Sequence, residues 1–466
     1  MARSDPHLFI IATPLAQPDA TARRNARSYA MRGKNRGKRR KDPFKQPGVG
    51  SWINGECDTE CRQGLQIQSQ EEACSYRIPA RMGSAAALVP FAGEIEPSQL
   101  PNVFKFFDAL EQTLYVNQSF VGVESSPQKH IWFSYLCESQ TCVHTQLFVA
   151  LAYFHSMNGG DGDVGPVATM HMTKALHFLQ QDLARMDRAT TEATISAVIS
   201  LCMVAVVVGD TKAAESHIRG FFQLVTMRGG LRSFGTHKSI QIKCCRLDLG
   251  YAMHTCAKPL FFTDGEISWK SHLFKGTTLS RNTAMHLLCG KTNPDPRLVN
   301  VWLDLYEFSK AVNIATQTGR TVEFELFQET MISIQYRLLH LDYLDDKAQE
   351  LLRIVMLEYA TKIYPPLFSH FSTAPMRYPS LRGCLQYYLT TVEQSSNEQS
   401  KALLWLITTL KLLFLDDELK GTQLSQILQV LNLSSWDEVL AILKGFLWID
   451  VLHKEQAKAL FDKSWP

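Results

Sequence analysis

Four groups of residues in this chain have types and spacings that could do chemistry. Cys57, Cys61 and Cys74 have three and twelve residues between them. A structural zinc takes four ligands, usually as two close pairs. Only one loose pair stands here, and His7 is far away in sequence. Cys244 and Cys245 are adjacent on a helical pattern, where neighbouring side chains diverge, so they read as buried thiols. Gly160-Asp161-Gly162-Asp163-Val164-Gly165 fits G-x-G-x-x-G in letters. No strand precedes it, and two carboxylates would repel a pyrophosphate, so it reads as a solvated interhelical loop. His171 and His177 lie six apart, which is not the i, i+4 spacing of a metal-binding helix. The motifs G-x-S-x-G, H-E-x-x-H and G-x-x-x-x-G-K-[ST] do not occur. The expectation is a protein with no catalytic residue, no cofactor and no metal.

The strongest local signal is charge. Between Arg23 and Lys41 the sequence RRNARSYAMRGKNRGKRRK holds ten bases in nineteen residues and no acid: Arg23, Arg24, Arg27, Arg32, Lys34, Arg36, Lys38, Arg39, Arg40 and Lys41. Three readings compete. Lys38–Lys41 with the upstream Arg23-Arg24 has the form of a nuclear localisation signal. A DNA-reading basic helix would need a zipper behind it, but Pro43 and Pro47 stop the helix, and Gly33 and Gly37 weaken it by about 1 kcal/mol each. The third reading is a solvated tail. Any of them permits weak, salt-sensitive contact with phosphates.

These residues need a body to carry them. The chain has 466 residues, 45% hydrophobic and 20% charged, enough for a large core. Residues 1–42 hold eleven bases against three acids, a net of +8, so the remaining 424 carry −5 of the overall +3. A basic arm on a mildly acidic body suits a protein that meets nucleic acid or is carried by import receptors. The eleven scattered cysteines suggest reduced thiols. The apolar run at the start, Leu8–Ala12, is too short for a signal peptide. The run Ala193–Gly209 is 17 residues, short of the about 20 that a bilayer needs, and reads as a core helix. The sequons at Asn117 and Asn432 read as chance matches.

Residues 1–95 mix Pro, Gly, Gln and Ser with charge and show no sustained period; a disordered basic N-terminal region is expected there. From Pro101 onward the pattern becomes helical. Val103, Phe106, Phe107, Leu110 and Leu114 fall on one face. Helical segments are expected at 142–158, 166–186, 190–208, 211–228, 239–256, 296–315, 323–345, 347–363, 380–393, 398–415, 422–432, 435–449 and 453–463. Thr190, Asp210 and Ser434 are the expected caps. Alternation of period two is nearly absent, which predicts an all-α domain over 100–463. The helices ALLWLITTLKLLFL and LKGFLWIDVL are apolar almost all round and read as core, with an enclosed ligand cavity as the alternative.

ESHIRGFFQLVTMRGGL, Glu215–Leu231, resembles the H-x-x-G…R-G-G segment of the fungal-specific transcription factor regulatory domain. CRLDLGYAMHTCAKPLF, Cys245–Phe261, is similar to the helix that follows it in that domain. LLWLITTLKLLF and Val439–Trp465 resemble its late helices. FIIATP followed by the basic stretch is similar to a leader found in some members in place of a zinc cluster. The resemblance implies a multi-helix regulatory domain, a filamentous-fungal source and a regulator-like protein. It also implies structural roles for five residues: Gly229 and Gly230 as a left-handed helix end, Arg228 meeting exposed carbonyls and the negative helix end, and His217 with Gly220 permitting close helix contact and an internal polar bond. The six-cysteine zinc cluster of such regulators is missing, so sequence-specific DNA binding does not carry over.

The expected protein is a nuclear, non-catalytic regulator. Its expected partners are a nuclear import receptor, transcriptional co-regulators and, weakly and without sequence preference, DNA; no membrane is expected. The rival is a helical metabolite-binding protein or an enzyme of a fungal secondary-metabolite pathway, which a cavity lined by convergent polar groups would favour.

Overall fold

The computed structural model describes residues 90–114 (except 94 and 97), 131–158, 164–262, 265–273, 283–290, 293–367, 378–392, 396–414 and 421–464. The basic arm, Cys57, Cys61, Cys74, the 160–163 loop and Asn117 lie outside them. Among the described residues there are seventeen α-helices, one 3-10 turn and no β-strand. The expected all-α class is what the chain adopts.

The first group of helices is α1 (Leu100–Leu114), α2 (Ile131–Glu138), α3 (Gln140–Met157), α4 (Gly165–Leu183), α5 (Met186–Ala189), α6 (Glu192–Val207) and α7 (Thr211–Arg228). Sequence neighbours pair here: α3 packs on α4, α6 on α7, and α3 joins the two pairs through α6. The apolar run Ala193–Gly209 forms most of α6, whose residues from Ala193 to Leu201 are all buried. No helix among the described residues is long and apolar enough to cross a membrane. Val103 and Phe106 of α1 are buried as their spacing predicts. The packed body reaches further back than 100: Phe91, Ala92 and Ile95 pack on the core, and the Ala92 N–H donates to the Leu136 carbonyl at 2.9 Å.

After a 3-10 turn (Leu231–Phe234) come α8 (Lys238–Thr255), α9 (Thr283–Cys289), α10 (Pro296–Thr318), α11 (Phe324–His340), α12 (Lys347–Ile363), α13 (Leu381–Val392), α14 (Asn397–Phe414), α15 (Gly421–Val430), α16 (Trp436–Leu443) and α17 (Asp450–Ser464). α11 packs on α8, α10 and α12, and α12 also holds α13 and α14. The apolar helix α14 is core as expected. Trp405 is fully buried, edge-on to Trp302 at 5.2 Å and stacked on Phe446 at 5.5 Å. Its indole N–H donates to the Leu447 carbonyl at 2.9 Å, which satisfies the one polar atom that burial would otherwise strand.

Several helix starts are fixed by side chains. Asp210 caps α7 as expected, accepting from the Ala213 N–H at 3.0 Å. The other two caps sit one residue later than the sequence suggested. Thr191, not Thr190, caps α6, and Ser435, not Ser434, caps α16 in a reciprocal capping box with Glu438. In each case it is the second hydroxyl that stands three residues before the N–H it receives.

Candidate functional site

Of the five residues singled out by resemblance, Arg228, Gly229 and Gly230 stand at the end of α7, and His217 and Gly220 lie in its middle. Gly229 has φ +108° and Gly230 has φ +78°, a left-handed exit that favours glycine. The Gly229 N–H donates to the Thr226 carbonyl at 2.9 Å and the Gly230 N–H to Val225 at 2.8 Å, closing the helix. Arg228 does meet a carbonyl, but not one of its own helix. Its Nη1 donates to the Thr190 carbonyl at 2.5 Å and its Nη2 to Glu192 at 3.3 Å, with the guanidinium over the Phe234 ring at 4.7 Å. The end of α7 lies beside the start of α6, so the basic residue spans the pair. Glu192 also accepts from the Tyr135 hydroxyl at 3.0 Å.

His217 and Gly220 differ from expectation. A β-carbon added to Gly220 would meet nothing within 4 Å, so no close helix contact requires glycine there. His217 makes no hydrogen bond to a described residue; burial holds it below its ordinary pKa, against the opposing pull of Asp210.

A second histidine arrangement joins helices rather than neighbours in sequence. His144 of α3 and His171 of α4 approach Nδ1 to Nδ1 at 3.0 Å, so one ring donates and the other accepts. Phe178 stacks on His144 at 5.5 Å. Burial lowers His144 to about 4 and lowers His171 too. His453 of α17 is also lowered to about 4 by burial, and its Nδ1 accepts the Ile449 N–H at 3.0 Å. An unfolded histidine titrates near pH ~6.5. Between about 6.5 and 4 the unfolded chain therefore binds protons that the folded chain refuses. The stability these sites contribute is full above 6.5 and is lost as pH falls. Asp248, pushed up to about 6 by burial, works in the opposite sense over part of that range, but it is one group against several. The urea midpoint is expected to fall between pH 7 and pH 5; a midpoint that is flat or rising over that interval would contradict this account.

A cavity among the described residues is framed by α8, α11 and the strap segments 257–262 and 265–273 that follow α8. Two buried aspartates hold this strap. Asp248 of α8 accepts the N–H groups of Leu260 at 2.7 Å and Phe261 at 2.9 Å, and the Tyr336 hydroxyl at 2.8 Å. Asp304 of α10 accepts Ser271 Oγ at 2.5 Å and the N–H groups of His272 at 2.9 Å and Leu273 at 2.8 Å. Asp304 also pairs with Arg337 of α11 at 2.6 Å, both side chains being almost fully buried. Asn300 adds a bond to the Trp269 carbonyl at 3.0 Å. The strap is thus pinned at both ends, and Phe262 stands in the left-handed region at φ +57°, edge-on to Tyr336 at 5.0 Å.

The resulting pocket has a volume of about 270 Å³. Its walls are chiefly apolar, with Ile242, Cys245, Phe262 and Ile332, and its polar groups include Gln241, Ser268, Ser333 and Arg337. At the mouth Lys238 contacts Glu325 at 2.5 Å and Glu329 at 3.4 Å. No charged residue of this site was singled out from the sequence. No set of three potential metal ligands occurs among the described residues. Cys142, Cys202, Cys244, Cys245, Cys289 and Cys384 are buried, Cys137 is half-buried and Cys256 is exposed.

Residues 108–257 match the family model described as the fungal specific transcription factor domain. The match spans the α7 exit and the whole of α8, and therefore one wall of the pocket. No curated protein and no solved structure matches the chain.

Proposed function

We propose that this chain, as the carrier of a fungal specific transcription factor domain over residues 108–257, is a nuclear, non-catalytic regulator of transcription. The observation that carries the reading is the family match, supported by the all-helical body in which it lies. The chain acts through contacts with co-regulators or through a small-molecule cue. The basic arm is its import signal, read by a nuclear import receptor, and adds at most weak, sequence-indifferent contacts with DNA phosphates.

A fluorescent fusion of the full chain tests this. The unaltered fusion is expected in the nucleus, and replacing Lys38, Arg39, Arg40 and Lys41 together by Ala is expected to move most of the signal to the cytosol. A fusion that is cytosolic with or without the four replacements would remove the nuclear assignment. A salt-resistant footprint at one DNA site would restore direct sequence reading.

A further inference from the structure

α4 is held to the body by a thin seam. Of its 19 residues only Ala168, His171, Ala175 and Leu179 are buried, and two of these are alanines. It packs on α3 and, more lightly, on the short α5; its contacts with every other element among the described residues are slight at most. α3 beneath it is different. Every residue from Thr141 to Ala150 is buried, and α3 also packs on α1, α2 and α6. A helix with so little buried apolar surface belongs to the low-stability end of a fold and opens while the rest stays closed.

Two polar contacts cross the seam. Thr141 donates to Asp182 at 2.6 Å, and His144 Nδ1 faces His171 Nδ1 at 3.0 Å. The ring centres are 5.2 Å apart, so the two nitrogens stand between the rings and share one hydrogen. Two neutral imidazoles can do this. One added charge would be buried, with the Lys174 ammonium of the same helix as a like charge nearby. A second is excluded by geometry, because both Nδ1 atoms would then carry protons pointing at each other. The surroundings offer no relief. Asp182 is committed to Thr141 and to Arg188 of α5 at 3.6 Å, and His177 is bonded to Gln181 at 2.9 Å. α1, α2 and α6 bring no charge that acts on either ring. His171 Nε2 is buried without a partner among the described residues, so a proton placed there finds no acceptor.

We propose that α4 is a proton-operated cover: protonation of the His144–His171 pair frees it from α3 while the helices beneath stay packed. This goes beyond the nuclear reading and is independent of it, being a property of the helical body. His144 is held at about 4 and a freed histidine titrates near ~6.5, so opening that releases this ring alone is favoured ~30-fold more at pH 5 than at pH 7.5. His171, also lowered by burial, adds to the effect. The cover is therefore tightest above pH ~6.5 and loosens as pH falls.

Hydrogen exchange of the full-length protein, read by mass spectrometry at both pH values and corrected for the intrinsic pH dependence of exchange, tests this. Peptides from α4 are expected to exchange at least about thirtyfold faster at pH 5. When they have fully exchanged, peptides from α3 and α12 are expected to remain largely unexchanged. In the double variant His144→Gln, His171→Gln the two amides keep a hydrogen bond and do not titrate, so α4 is expected to exchange at the same corrected rate at both pH values. Lys174 is exposed, and Lys174→Glu reverses the charge beside the rings. It raises both folded pKa values toward 6.5 and is expected to shrink the response; should the double variant not fold, this one decides. An α4 exchange rate that is the same at both pH values, α3 and α12 exchanging together with α4, or a response undiminished by the substitutions would each overturn the proposal.

Discussion

Gly250→Ala is expected to leave little folded protein. Gly250 lies near the end of α8, where the backbone of Leu367 crosses it. A β-carbon there would stand 1.8 Å from the Leu367 carbonyl oxygen and 2.8 Å from its carbon. No side chain can swing away to make room, because the obstacle is main chain. Nor is the crossing segment loose: the Leu367 N–H donates to the Arg246 carbonyl at 3.4 Å, and the Arg246 guanidinium holds the Pro365 carbonyl and covers the Tyr364 ring at 4.6 Å. One inserted methyl usually costs ~1–3 kcal/mol in a packed core. Here helix or crossing must shift, and a loss at or above the upper end is expected, against a total of ~5–15 kcal/mol for a folded domain. Gly220→Ala is the internal control. It is also a glycine in a helix interior, but its added methyl meets nothing within 4 Å, so the better helix propensity of Ala should leave stability unchanged or raise it by up to ~1 kcal/mol. Soluble yield and urea midpoints of the two variants, side by side, check this; equal behaviour would mean that the α8–Leu367 approach is wrong.

The second large effect is expected at Asp304. Asp304→Ala removes the acceptor for the Ser271 hydroxyl, for the N–H groups of His272 and Leu273, and for Arg337. The strap loses its far anchor, and a cation stays buried without its counter-charge. Breaking one side of a buried ion pair costs ~3–5 kcal/mol, most of it the uncompensated charge. That explanation makes a distinguishing demand. Asp304→Ala combined with Arg337→Met should be far less damaging than the two single losses added together, because removing both charges removes the desolvation problem. A double-mutant cycle by urea denaturation measures the difference, and simple additivity would show that the pair is not coupled.

Asp248 and Asp304 also show what the sequence could and could not disclose. Each sits in the same three-letter frame, Leu247-Asp248-Leu249 and Leu303-Asp304-Leu305, on helices with apolar neighbours. A lone acid in such a helix must find partners, so buried polar anchors were open to inference. Their partners were not, because Asp304 meets Ser271 and Arg337, each 33 residues away, and Asp248 meets Tyr336, 88 residues away. The same limit applies to the His144–His171 pair and to Gly250 against Leu367. Local rules did well where the physics is local. The periodicity located fourteen helices, and Asp210 and the Gly229-Gly230 exit stand where expected. Thr191 and Ser435 were missed by one residue because Thr190-Thr191 and Ser434-Ser435 offer two adjacent hydroxyls, and only the spacing to the receiving N–H separates them. The short helices α2, α5 and α9 hold too few turns to display a period. The Gly220 expectation erred because a family glycine need not be a contact glycine.

The burial of the cysteines has a consequence for how the helical body meets oxidants. Peroxides and electrophiles attack the thiolate rather than the thiol. Burial pushes Cys142, Cys202, Cys245 and Cys289 up to about 12, so on the order of one in 100,000 of each is thiolate at pH 7. Burial, with its neighbour Cys245, raises Cys244 well above the ordinary thiol range too. These sulfurs behave as small apolar side chains with little capacity to be oxidised while the fold is intact. Cys256, in the left-handed turn that ends α8, is the exposed exception among the described residues. Thiol oxidation among the described residues is therefore expected to start at Cys256, where the strap begins, and to reach the buried thiols only after the helices have opened.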